Sequence, residues 1–495
     1  MASRQPTAPA PAAACSPAAS ITALTAVIVL GGFMAGLDTS LVNVGLTTIA
    51  LNLHAAITNV QWVTSGYLLA LAAALPAGPF LQRRIGASRL WMICLISFTA
   101  ASLLCALSPD LAVLLAARVL QGAAGGLLVP TGQSIVARAV GPERMGRAMS
   151  SAGLVIVLAP AIGPALGGLL IDCLSWRWLF VVNIPIGLIA GLLAARVLPK
   201  DAADRSARLD GIGLGLLSAG LPAISLGITR VSSGSSQRTS GAILIAAGVV
   251  LLGAFAVDAL RAGRPAGRER LLDITLFRDA RYAAAQITVF FLGLSQFGGL
   301  ILLPLYYEAL RGMSVVHTGL LLFAYGAGAM AALPLGGRIT DRIGGGIACV
   351  LGLIVTVAAT LPFVFLPGSA SLLLVEVLQA IRGVGVGLSG ISGMSSAMRA
   401  APRQHLADAT TTANILQRAG GSIGSAVIVL TVAHATPLLT GIRAAHGILA
   451  ASATIALAAA GTLTVLERRS THATAAVCDP ATPNRPMHRQ TGEAR

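Results

Sequence analysis

Charge is scarce in this sequence. Asp, Glu, Lys and Arg make up 11% of its 495 residues, against about a quarter in ordinary soluble domains, which excludes a water-solvated globule. Aromatic residues are few as well, at 4%, so a ligand pocket walled mainly by stacked rings is not signalled. The six cysteines, Cys15, Cys94, Cys105, Cys173, Cys349 and Cys478, have no metal-like spacing. Neither a disulfide framework nor a metal site is expected from them, and no cofactor is signalled. The seven histidines form no cluster and the connections between apolar runs are short. The loop-borne acids, imidazoles or metal ligands that an integral-membrane enzyme needs are therefore not signalled, nor is the soluble domain of a membrane-embedded sensor.

What the chain has instead is apolar length. Hydrophobic residues make up 55% of it and the mean hydropathy is +0.82. Runs of about 20 apolar residues recur, each long enough to cross a hydrocarbon core of about 30 Å as a helix, the one form a lone segment can take in lipid. Fourteen such spans are predicted, starting near residues 22, 60, 88, 112, 147, 178, 211, 241, 283, 316, 347, 372, 408 and 444. The first run is long and carries an aspartate, so it is read as a retained helix and not a cleaved signal peptide.

The net charge of +16 raises the question of nucleic acid, which the placement of the basic residues answers. With the N-terminus inside, 26 Lys and Arg fall in the inside connections and termini, five outside (Arg177, Arg230, Arg238, Arg311, Arg443) and three within spans (Arg118, Arg382, Arg418). This is the positive-inside pattern: it predicts a multi-pass inner-membrane protein with both termini cytoplasmic, and no nucleic-acid partner.

Shifting the chain by 258 residues lays Pro76 on Pro334, Gly78 on Gly336, Arg84 on Arg342, Gly86 on Gly344, Gln121 on Gln379 and Gly125 on Gly383. Two parallel six-helix repeats are one known transporter plan. In this register spans 1–6 match spans 9–14 and leave spans 7 and 8 as an inserted pair. The expected organisation is residues 1–20 disordered, 21–198 a first six-helix bundle, 199–280 the inserted helices and loops, 281–467 a second bundle, and 468–495 a disordered tail.

Few polar residues interrupt the spans, and those are the candidates for chemistry. Asp38, some seventeen residues into span 1, is expensive at that depth unless it is paired, hydrated or protonated. It is either a proton-exchanging acid or a helix-pairing one. Arg118 and Gln121 share roughly one face of span 4, and the repeat partner of Arg118 is Glu376. Arg118 reads equally as a charge that modulates Asp38 or as half of an inter-helix salt bridge. In span 5, Pro160, Gly163, Pro164, Gly167 and Gly168 suit bending and close helix approach. Gly337, Asp341, Arg342 and Gly344 close span 10 with a turn whose acid suits a helix N-terminus or an arginine, a gate latch.

Together these segments resemble the major facilitator superfamily, in particular its 14-helix drug:proton antiporter branch. Gly337 to Gly344 is similar to the G-x-L-x-D-R-x-G loop, Arg118 to Gly122 to the R-x-x-Q-G helix, and Pro160 to Gly168 to the antiporter helix. Leu37 to Asn43 resembles the first-helix L-D-x-T-x-V-N pattern, and Trp176 to Gly187, with Asn183 and Pro185, the start of span 6. The first-half loop departs from the pattern, with Pro79 in place of Gly and Arg83 where an acid is usual beside Arg84. Span 13 also departs, placing Gln417 before Arg418.

The resemblance implies an all-α integral membrane protein with the major facilitator fold: two six-helix bundles plus two extra central helices. It further implies alternating access and proton-coupled export of lipophilic or cationic drugs. A dedicated exporter of one metabolite, such as a self-made antibiotic, siderophore or amino acid, is the alternative; the antiporter helix argues against a nutrient importer. By matching motifs Asp38 is the coupling or cation-recognising acid and Arg118 the charge of the proton pathway, with Gln121 and Glu376 beside them. A mainly aliphatic substrate cavity is expected to include Asn43, Phe290, Phe291, Gln296 and Phe297, and the cytoplasmic gate to include Arg83 and Arg84. The implied partners are protons, a small-molecule substrate, the bilayer and, as a further candidate, an outer-membrane efflux adaptor.

Overall fold

The computed structural model describes residues 21–477 except 142–143, 202, 205, 207, 233–236 and 261–270. The N-terminal segment expected to be disordered, and the tail beyond 477, lie outside the described residues. So do the side chains of Pro160 and Pro164.

Among the described residues every regular element is helical. In chain order the membrane-length helices are α1 (Ile21–Asn52), α2 (Ile57–Ile85), α3 (Ala87–Leu107), α4 (Leu111–Val140), α5 (Met145–Cys173), α6 (Trp178–Val197) and α7 (Gly211–Ser232). They continue as α8 (Arg238–Leu260), α9 (Ala280–Leu310), α10 (Val315–Ile343), α11 (Gly345–Val364), α12 (Leu372–Arg399), α13 (Leu406–Ala433) and α14 (Leu438–Val477). Thirteen of them meet the length and apolarity needed to cross a membrane among the described residues. The other, α5, is a 29-residue helix, roughly 43 Å long at 1.5 Å per residue. The largest offset from the expected starts is at α14, which begins six residues earlier than the apolar run suggests.

The helices start and stop where the sequence supplies local reasons. Asp110 caps α4 by accepting from Val113 N at 2.9 Å, and Asp279 caps α9 by accepting from Arg281 N at 2.8 Å, each satisfying an orphan donor. Pro76 removes a backbone donor within α2, which tightens to a 3-10 turn at Leu75–Ala77. Gly86 and Gly344, partners under the 258-residue shift, end α2 and α10 with φ of 91° and 101°, a left-handed turn that a side chain would strain.

Packing repeats as the sequence does. In the first half α1 packs on α5 and α6, α4 on α2 and α3, and α3 on α6; in the second, α9 packs on α13 and α14, α12 on α10 and α11, and α11 on α14. The halves meet along two seams, α5 against α10 and α12, and α13 against α2 and α4. One apolar cluster crosses between them, joining Leu128, Met145 and Met149 to Leu333, Ile391 and Met394. The inserted α7 and α8 pack on each other, and α7 lies over the second seam against α2 and α13. Only 22% and 17% of their most apolar windows are buried, so this pair forms part of the lipid-facing rim. Because fourteen spans alternate in direction, α1 begins and α14 ends at one face, called the terminal face below.

Candidate functional site

Close helix approach sets up the polar cluster at the middle of the first half. A Cβ on Gly122 of α4 would fall on the Tyr67 carbonyl of α2, so the bare glycine lets the two backbones touch. The turn before it then places Arg118 against α2, where its Nε donates to Val63 O at 3.0 Å and its guanidinium lies 4.2 Å from the Tyr67 ring centroid. From there Arg118 Nη1 reaches Asp38 Oδ2 of α1 at 2.5 Å and Gln121 Oε1 at 2.7 Å. The other carboxylate oxygen, Asp38 Oδ1, accepts from Gln121 Nε2 at 2.9 Å and from Asn183 Nδ2 of α6 at 2.8 Å. Ser102 of α3 completes the set, its Oγ accepting from Gln121 Nε2 at 2.6 Å and Asn183 Nδ2 at 3.0 Å.

Asp38, Ser102, Arg118, Gln121 and Asn183 are each 0% exposed. A carboxylate and a guanidinium at that depth offset their desolvation through each other and through their hydrogen bonds, of which Arg118 Nη2 makes none among the described residues. All three side chains around Asp38 act as donors towards it, an arrangement that suits its ionised form. Asn183 Oδ1 is buried without a hydrogen-bond partner among the described residues, an acceptor that a protonated Asp38 could use.

Sequence reasoning singled out Asp38, Arg118 and Gln121, which the fold brings together. Ser102 was missed, and Asn183 stood in a motif with no role attached. Glu376 lies elsewhere, accepting from the Tyr307 hydroxyl in the second half. Under the 258-residue shift Asp38 falls on Gln296 and Gln121 on Gln379, so the second half keeps amides and lacks the ion pair. Arg382, six residues beyond Glu376, donates instead to Ser295 O at 2.9 Å.

Among the described residues, cavities lie between the halves, and two of them bear on the predicted residues. The central one, about 70 Å³, is lined by Gln133, Gln296 and Gln417 with Met149, Leu333 and Met394 among others and carries no charged side chain. Phe290 and Phe297 line a second cleft between α2, α7, α9 and α13, while Phe291 packs into the second-half core. Asn43 is exposed and accepts from Thr64 Oγ1 at 3.1 Å. Gly163 and Gly167 let α5 press on Ser40 and Leu41 of α1, and a Cβ on Gly168 would meet nothing within 4 Å.

At the terminal face the two seams carry polar latches. Asp341 accepts from Gly146 N at 2.8 Å and Arg147 N at 3.2 Å, the orphan donors of the α5 N-terminus. It also pairs with Arg147 Nε at 2.9 Å and Arg399 Nη2 at 3.0 Å. Gly337 faces Gly146 closely enough that a Cβ would crowd its carbonyl at 2.9 Å. Arg84 and Arg342 are exposed. Arg83 falls on Asp341 under the same 258-residue shift, and it pairs with Asp408 at 3.5 Å across the other seam. Arg147 and Asp408 are each the third residue of their helix, α5 and α13. The two latches therefore match in position and are exchanged in charge, and Arg83 is a partner in its own right. Asn414 Nδ2 reinforces this seam about two turns deeper, donating to Gln133 Oε1 at 2.7 Å.

The exchange makes a prediction. Reversing either Arg83→Asp or Asp408→Arg alone is expected to lower transport several-fold, through about 1 kcal/mol of lost closure. The double reversal is expected to restore it, as read by uptake into vesicles; a double variant no better than the singles would show that the pair does not act as a latch.

The comparisons agree with this architecture. The sequence profile described as Major Facilitator Superfamily matches residues 28–425. A multidrug resistance protein B homolog of Mycobacterium tuberculosis is 35% identical over 406 residues, covering 81% of this chain and 74% of its own. The tetracenomycin C resistance and export protein of Streptomyces glaucescens is 28% identical over 81% of this chain and 74% of its own. The crystal structure of the human organic anion transporter MFSD10 (TETRAN) superimposes with a TM-score of 0.61 at 15% identity, covering 88% of this chain and 99% of that one, and so shares the fold. On the family match and the helical architecture together, this chain belongs to the major facilitator superfamily and is a multi-pass membrane transporter of small molecules.

Proposed function

We propose that the chain is a proton-coupled antiporter that exports lipophilic small molecules, drugs among them, by alternating access across a bacterial cytoplasmic membrane, with both termini cytoplasmic. The observation that carries this reading is the fully buried Asp38–Arg118 pair, the ion pair at the heart of a half whose counterpart holds Gln296 and Glu376 in its place.

The pair couples a proton to helix packing. With Asp38 ionised, α1, α4 and α6 are tied through Arg118, Gln121 and Asn183. Protonation removes the charge that holds Arg118, reduces the α1–α4 link to the Gln121 hydrogen bond and lets the acid donate to Asn183 Oδ1. Two packings of the same helices then differ by one proton, the bistable element that alternating access needs. The latches at the terminal face close one end in the state described. The excess of basic residues on that face supports its being cytoplasmic.

A dedicated exporter of a single metabolite remains the second reading, supported by a relative whose name joins resistance to export of one antibiotic. Inverted vesicles distinguish these readings. Addition of a transported compound is expected to dissipate an imposed pH gradient and a sodium gradient is expected to do nothing. Transport driven by sodium alone would remove the proton from the proposal. Exchange with one metabolite and with no unrelated drug would select the second reading.

A further inference from the structure

Three arginines lie within membrane spans, and two have partners. Arg118 pairs with Asp38 and Arg382 donates to a carbonyl. Arg418 of α13 has neither a hydrogen bond nor an ion pair among the described residues. A guanidinium cannot shed its proton, and an unpaired one at this depth carries a desolvation cost of several kcal/mol.

Its surroundings show what could relieve that cost. Arg418 lines the second cleft, about 730 Å³ in volume, between α2, α7, α9 and α13. The walls are otherwise neutral and mostly apolar, with Leu71, Ile224, Phe297, Ile415 and Val429 among them. Leu68 and Ile301 on the wall are 40% and 39% exposed, so the cleft is open. Its volume is that of a drug-sized site, and one charged group among apolar walls is the usual composition of one. The central cavity is lined by amides, and neither cavity is lined by Asp38. The charge that faces these two cavities is therefore positive.

We infer that this cleft binds lipophilic organic anions, with Arg418 as their counter-ion. The inference rests on the transport reading above for its biological sense and names the charge of the substrate that reading leaves open. Depth favours a compact anion over a resident phospholipid. Arg418 is the thirteenth residue of the 28 in α13, roughly 18–22 Å from either end. A lipid phosphate sits near the edge of a core of about 30 Å, roughly 15 Å from its middle, and would have to be drawn into the hydrocarbon to reach Arg418. An anion that travels with its own apolar body needs no such displacement.

The test uses a pair of ions of nearly equal shape and opposite charge, tetraphenylborate and tetraphenylphosphonium. The full-length protein is held in nanodiscs of phosphatidylcholine, with empty discs as the blank. Equilibrium dialysis is expected to show the anion bound at least about tenfold more tightly than the cation. Arg418→Gln is expected to abolish that preference by weakening the anion, and Arg418→Lys to keep part of it. Ile224→Trp, which fills the cleft from α7 without touching charge, is expected to exclude the anion while leaving thermal stability in place.

Equal binding of the two ions, or unchanged anion affinity in Arg418→Gln, would overturn the inference. So would stoichiometric displacement of tetraphenylborate by phosphatidylglycerol built into the discs, which would give the site to lipid. The assay needs no proton gradient. Anion preference without proton exchange in vesicles would count against the transport reading alone, and proton exchange without anion preference against this one.

Discussion

Asp38→Asn is expected to reduce proton-driven transport to the background of empty vesicles. The asparagine can still accept from Gln121 and Asn183 but holds neither the charge that binds Arg118 nor a proton that can leave. The same change leaves Arg118 buried and unpaired, which costs about 3–5 kcal/mol when one partner of a buried pair is removed. Loss of activity alone would therefore be ambiguous. A second variant separates the two effects: Asp38→Asn with Arg118→Gln removes both charges, and such replacements are often neutral for stability. The double variant is expected to melt within a few degrees of the parent and still fail to exchange protons, whereas Asp38→Glu keeps the titrating group and part of the activity. Proton-coupled transport at the parent rate by Asp38→Asn would exclude this carboxylate from coupling, whatever its part in folding.

The contrast between what could and could not be foreseen from the sequence has physical causes. Span lengths and the sidedness of the basic residues were legible because the bilayer imposes both on the chain directly. Asp38 and Arg118 were legible as outliers, since an ionisable group in an apolar run is rare. Their contact was not, because it joins helices eighty residues apart and depends on how α1, α2 and α4 pack. Ser102 gave no signal, since a serine is unremarkable in a membrane helix, and Asn183 stood out only as part of a motif. Phe297 shows a different limit. It follows Gln296 in sequence, yet successive residues of a helix point about 100° apart, so the glutamine faces the central cavity and the phenylalanine, with Phe290 two turns away, faces the cleft. Arg83 read as a departure from the motif because its partner Asp408 lies in the other half, and only the folded seam brings them together.

Asp341→Ala is expected to open the terminal face. The carboxylate takes two backbone N–H groups of the α5 N-terminus and two arginines, and its own side chain is 5% exposed. Arg147 is 60% exposed, so solvent screens much of that ion pair and it contributes little. The stabilisation rests on the helix-terminus bonds and on Arg399, whose side chain is 20% exposed. Losing them is expected to shift the closed-to-open equilibrium by about 2–3 kcal/mol, some 30- to 150-fold. Ser150, which is buried and faces Gly337 across the seam, is the place to read it. With Ser150→Cys in a background cleared of native cysteines, a membrane-impermeant thiol reagent applied from the terminal face is expected to label the Asp341→Ala protein faster by a comparable factor, while Asp341→Glu stays closer to the parent. An unchanged labelling rate would mean that the close backbone approach of Gly146 and Gly337 suffices to hold the seam. A bulky side chain at Gly146, such as Gly146→Leu, would then be the change that opens it.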